Sequence, residues 1–93
     1  MSKRGPRVVN DFYCIVCGNK GIPIPRRKSR DRGPEHRKAL YCCHCRMTLN
    51  HIEIRTEAEA ERFRRDFEAG RYKKEAEETI AYAKRKEAEH ENL

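Results

Sequence analysis

The sequence contains no tryptophan, and Leu, Ile, Val and Phe together supply only 15 of its 93 residues. That share, about 16%, lies under the roughly 20% at which highly charged chains tend towards disorder. Charged residues make up 40% of the chain. A core built from so few apolar side chains is marginal, because small domains bury little surface to offset chain entropy. A large enzyme with a deep apolar pocket is excluded, and no small-molecule substrate is expected. Apolar runs extend over only a few residues, so no membrane-spanning segment is expected. The basic start, Met-Ser-Lys-Arg-Gly-Pro-Arg, leads into no apolar stretch. It does not read as a signal peptide, and a cytoplasmic location follows as the expectation.

What the sequence does have is five cysteines and an excess of basic charge. The formal net charge is +7, spread unevenly. Residues 1–55 hold 13 Lys/Arg against 4 Asp/Glu, whereas residues 56–93 hold 9 against 11. Four thiolates around one divalent ion would lower the total to about +5. The first half therefore carries the long-range field, and a partner should present negative charge. Nucleic acid and an acidic protein face both qualify.

Three segments are expected: a flexible basic tail over 1–7, a cysteine-bearing unit over 8–55, and a helical segment over 56–93. Val8, Val9, Phe12 and Tyr13 read as a strand entering Cys14. Gly18 and Gly21 suit a turn with positive φ. Ile22-Pro23-Ile24-Pro25 must be extended, and its missing N–H groups place it at a sheet edge. Further strands are expected over 39–45 and 47–55. Met47 and Leu49 have opposite parity to Ile52 and Ile54, which predicts a bulge or twist near Asn50-His51. Thr56 with Glu59 fits a capping box that opens a helix. Phe63 and Phe67, four apart, should dock that helix on the sheet, and Gly70 suits a C-cap or kink. Beyond it, Tyr72, Ala76, Ile80 and Ala83 form a thin stripe, too weak to pack without a partner.

Cys14-Ile-Val-Cys17 and Cys42-Cys-His-Cys45 are two C-x-x-C pairs separated by 24 residues. Two residues between thiolates let one tight turn aim both sulfurs at a single ion, and two such turns build a tetrahedral site. Sulfur ligation indicates Zn²⁺ first, with iron as the alternative. The spacing selects Cys14, Cys17, Cys42 and Cys45, leaving Cys43 as a small buried side chain and His36, His44 and His51 without an assigned role. A closed four-thiolate site has no position for water, so the single Zn²⁺ is expected to be structural and its binding energy to serve folding. Two knuckles joined by strands give a small α+β fold, a zinc ribbon followed by a C-terminal helix or helical hairpin. Glu35-His36 beside cysteine pairs is similar to HNH nucleases, but the five residues between His36 and Cys42 leave no room for the rest of that motif. No enzyme is expected.

Residues 26–38 carry seven basic and two acidic residues and should form a loop between the knuckles. Such density attracts phosphates of DNA or RNA, with Tyr13 and Tyr41 available to stack on bases. The run Val9-Asn-Asp-Phe-Tyr-Cys14, with Gly21-Ile-Pro-Ile-Pro-Arg-Arg, Leu40-Tyr-Cys42 and Asn50-His51, resembles small zinc-ribbon proteins of phages and prophages of Firmicutes. Some proteins of that kind are anti-CRISPR inhibitors of Cas9. The resemblance implies a non-enzymatic inhibitor that binds a Cas9-type nuclease in the host cytoplasm and blocks loading of target DNA. A basic chain cannot imitate DNA, so it should occlude an acidic or mixed protein face. Candidate contacts are Arg26, Arg27, Lys28 and Arg30, with an exposed helix face around Arg64, Arg71 and Tyr72. The alternative is a nucleic-acid-binding accessory of phage replication or transcription.

Overall fold

A computed structural model describes residues 7–27 and 35–91, with four strands followed by two helices. The strands are β1 (Arg7–Cys14), β2 (Ile24–Arg27), β3 (Arg37–Cys42) and β4 (Met47–Ile54), and the helices α1 (Glu57–Glu68) and α2 (Lys73–Glu91). All pairing is antiparallel, in the order β2-β1-β4-β3. The fold is α+β and ribbon-like, as the cysteine spacing and element order predict. β1 changes partner midway. Arg7 to Asn10 pair with β2, and Asp11 to Cys14 pair with β4. The proline-bearing segment lies at the edge, with Pro25 opposite Val9.

Of the bulge or twist expected near Asn50-His51, the bulge is absent, since both ladders along β4 run without a slip. The parity conflict is resolved by burying both faces. Residues directly opposite across a ladder share a face. Ile52 and Ile54 lie with Tyr13 on the side covered by Phe63 and Tyr72, while Leu49 packs with Cys14 and Cys42 on the other. From His51 to Ile54 every residue is buried.

That second face contains a polar network. Glu53, 1% exposed, accepts from Asn10 Nδ2 at 2.7 Å, and its other carboxylate oxygen lies 3.2 Å from His36 Nδ1. Its backbone N–H donates to the His36 carbonyl at 2.8 Å. Burial of the carboxylate is thus matched by hydrogen bonds, as a buried polar group requires. His51 is also buried, with Nδ1 2.8 Å from the Leu49 carbonyl.

Thr56 caps α1 by accepting from the Glu59 N–H at 3.2 Å. The reciprocal half of the box differs from expectation, because the Glu59 carboxylate reaches the Arg55 N–H and guanidinium instead. Gly70 adopts φ +83° between the helices, where a Cβ is strained. The second helix does pack, contrary to the weak-stripe expectation. Tyr72 is 4% exposed and lies against Phe63, while Ile80 and Ala83 pack near the cysteines. Polar contacts add to this thin stripe. Thr79 Oγ1 accepts from the Asn50 N–H at 3.0 Å where β1 has ended, and Glu75 takes a bidentate pair from Arg37 at 2.9 and 3.0 Å. That guanidinium, chiefly through its hydrogen bonds, holds the Glu75 carboxyl below the usual range.

Candidate metal centre

The two C-x-x-C pairs fold as matching turns. In the first, the Gly18 N–H donates to the Cys14 carbonyl at 2.8 Å, and in the second the Arg46 N–H donates to the Cys42 carbonyl at 2.7 Å. The closing residue is left-handed in both, with φ +74° at Gly18 and +58° at Arg46. Each strand that enters a turn, β1 or β3, ends on its first cysteine. The turn then brings the second thiol back beside it.

The Sγ atoms of Cys14, Cys17, Cys42 and Cys45 all lie within 4.8 Å of one another, and all four cysteines are free thiols. A tetrahedral ion with bonds of about 2.3 Å needs sulfurs about 3.8 Å apart. Cys17 and Cys42 are 3.6 Å apart, too far for a disulfide and right for a shared ion. Cys42 Sγ also accepts from the Cys45 N–H at 3.5 Å, the kind of contact that supports a thiolate. The four residues that spacing selected thus form one site able to hold a metal ion. His44 and Cys43 are exposed and point to no shared site with it. The expectation that Cys43 is buried fails because it sits at the outside of the turn that aims its neighbours inward.

Burial raises the Cys14 thiol to about 11 and also raises that of Cys45. Cys17 is lowered, because hydrogen bonds from Asn19, Cys42 and Cys14 outweigh its burial. Metal binding must therefore displace protons, and affinity falls as pH falls. His51 adds to this acid sensitivity. Burial holds its pKa below the ordinary 6.5, so the unfolded chain binds the proton more tightly. Its contribution is complete above about pH 6.5 and is lost as pH drops through the lowered value. In excess metal, the thermal midpoint should fall as pH drops from about 8.5 through neutrality, because the unfolded thiols take up protons that the metal-bound site has lost, and His51 adds to the decline below about pH 6.5, with release of the ion followed in parallel. A midpoint that rises on acidification would contradict this assignment.

Gly18 has a second constraint. A Cβ there would stand 3.0 Å from the Phe67 ring, at a φ that costs a non-glycine residue about 1–2 kcal/mol. Phe67 thereby rests α1 directly on the first knuckle. Gly18→Ala should cost about 2 kcal/mol in denaturant unfolding of the metal-loaded protein. Gly21 does not use positive φ, in contrast to expectation. Its N–H donates to the Phe12 carbonyl at 2.7 Å, and a Cβ would approach that oxygen to 3.1 Å.

The expected partner contacts are dispersed. Arg26 and Arg27 extend β2, opposite Val8 and Arg7, so the 26–38 loop is shorter than predicted at both ends, with Arg37 and Lys38 already in β3. Lys28 and Arg30 lie outside the described residues, as does the tail over 1–6. Arg64 is exposed on α1. Arg71 bonds Asp66 at 2.7 Å and Glu35 at 3.2 Å, with half its side chain open to solvent. Tyr72 is not on an exposed face at all. It sits in the core between Phe63 and the guanidiniums of Arg37 and Arg71. The buried Glu53–His36–Asn10 network was missed because its members are 17 and 43 residues apart and share no local pattern. Among the described residues, no helix is long and apolar enough to cross a membrane. Comparison with protein-family models, with curated proteins and with solved structures found no match to this chain.

Proposed function

We propose that the protein is a non-enzymatic zinc ribbon whose one Zn²⁺ is structural and whose surface binds nucleic acid. The all-cysteine donor set supports zinc, and four thiolates complete its tetrahedron without a place for substrate or water. The observation that carries the binding role is the excess of basic charge. Residues 1–55, which contain all five cysteines, hold 13 Lys/Arg against 4 Asp/Glu. Affinity for a DNA or RNA fragment should fall steeply with salt, each phosphate contact contributing about −0.9 to the log–log slope. Arg26→Ala with Arg27→Ala should flatten that slope. Absence of retention of either nucleic acid at about 150 mM salt overturns the reading.

The second reading is inhibition of a Cas9-type nuclease, favoured by Arg62, Arg64 and Arg65, all exposed on α1 and suited to an acidic protein face. Its test is DNA cleavage by a purified type II effector with the protein added before or after target DNA. Inhibition confined to early addition supports blocked loading, and absence of inhibition and co-elution overturns it.

A further inference from the structure

At the metal end of the sheet, α2 stands away from β3 and β4 and leaves an open groove of about 300 Å³. Tyr41 of β3 and Tyr82 of α2 line it, at 61% and 53% exposure. Those are large apolar surfaces for a chain otherwise short of them. Met47 and Ala83, both half-buried, also line it. Its cations are Arg46 and Lys86, with Glu87 as the acidic lining residue. Lys86 Nζ and the Arg85 guanidinium each lie 5.6 Å from the centre of the Tyr82 ring.

We propose that this groove binds single-stranded nucleic acid, with bases stacking on Tyr41 and Tyr82 and phosphates meeting Arg46, Arg85 and Lys86. Flat aromatic faces paired with cations are the chemistry that unpaired bases and their backbone require, since every base has a π face. Complementary charge favours this occupant over a neutral apolar peptide, for Arg85 and Lys86 border Tyr82 and Arg46 lines the same groove as Tyr41, on a protein of net charge +7. A duplex keeps its bases stacked inside and would use only the cations. The groove is also tied to the metal site. Tyr41 directly precedes Cys42, Arg46 closes the second knuckle at φ +58°, and Met47 pairs with Cys42 across the ladder. Three residues of β3, Lys38 to Leu40, separate Tyr41 from Arg37 at the start of the strand, so groove and basic segment can be tested apart.

This inference rests on the nucleic-acid reading above and adds the strand state and the contact residues. The test is fluorescence anisotropy of the metal-loaded full chain with a labelled oligothymidine strand of about 20 nucleotides and with a duplex of equal length. The wild type should bind the single strand more tightly. Tyr41→Ala and Tyr82→Ala should each weaken single-strand binding about fivefold or more and leave duplex binding within about twofold. Tyr41→Phe and Tyr82→Phe should retain it, and metal content with circular dichroism shows that each variant is folded. Arg26→Ala with Arg27→Ala should weaken both probes while preserving the single-strand preference. Tyrosine variants that bind as the wild type does overturn the groove and leave the broader reading standing. A wild type that binds neither probe overturns that reading itself.

Discussion

Excess chelator at neutral pH should abolish cooperative unfolding of the sheet while leaving a substantial helical signal. Among the described residues the buried apolar side chains are few: Phe12, Ile15, Leu49, Ile52, Ile54, Phe63 and Tyr72, together with Cys14 and Cys42. Two of these nine are metal-site cysteines, and a third, Leu49, packs directly on them. Apparent binding free energies of structural zinc in small domains run to about 10–16 kcal/mol at pH 7, as large as the whole stability of a typical domain. Loss of the ion leaves four clustered thiols, two of them with pKa values raised chiefly by burial, in place of a bonded centre. The sheet has no comparable replacement. The 19-residue α2, rich in Ala, Glu and Lys, exceeds the length of about 12–15 residues at which isolated helices become marginal. Residual ellipticity should therefore be helical. Cys14→Ser should reproduce the chelated state, because a hydroxyl is a poor replacement for a fully buried thiolate ligand. Cys43→Ser should change stability by less than about 0.5 kcal/mol, since that side chain is exposed. Metal analysis should give one zinc per chain. Natively folded protein without a metal ion would overturn the assignment.

The candidate metal site was legible because its information is local: two C-x-x-C turns, each closed four residues on by a left-handed residue. The same holds for the Thr56 cap and for the edge position of the proline segment. What sequence reasoning misplaced depends on contacts between distant segments. The parity of Met47 and Leu49 against Ile52 and Ile54 implied a bulge only under the assumption that a sheet has one wet face. Here Phe63 and Tyr72 cover one face, while the cysteine-bearing turns together with Ile80 and Ala83 of α2 pack on the other, so residues of both parities are buried along β4. The stripe on α2 looked weak because hydrophobic periodicity does not count Thr79 and Glu75. Those polar side chains satisfy Asn50 and Arg37 on the sheet. Tyr72, assigned to a contact face from its position beyond Gly70, instead turns into the core, where burial chiefly raises its hydroxyl pKa. Tyr82, which spacing left unremarked, is the tyrosine of α2 that stays open.

Phe63→Ala should be the most damaging substitution away from the metal. Its ring is 3% exposed and lies 5.4 Å from Tyr13, 5.8 Å from Phe67 and 5.3 Å from Tyr72, centre to centre. It therefore joins β1, α1 and the turn leading into α2, and covers Ile52 and Ile54 of β4. Truncation removes the buried ring and leaves a cavity among aromatic neighbours held by three different elements, which limits their collapse. Phe→Ala changes at such sites cost about 3–5 kcal/mol, a large share of the 5–15 kcal/mol that a small domain has in total. Phe63→Leu keeps most of the volume and should cost less than half as much. Both are measured as denaturant midpoints in excess zinc, with metal content determined on the folded samples. The knuckle ligands sit on β1, β3 and their turns, so Phe63→Ala should retain one zinc per chain while its midpoint falls. A loss below about 1 kcal/mol would show that α1 is not seated on the sheet through this ring. Loss of zinc at zero denaturant would instead show that the helices and the metal centre fold as one inseparable unit, with Phe67 against Gly18 as the contact that couples them.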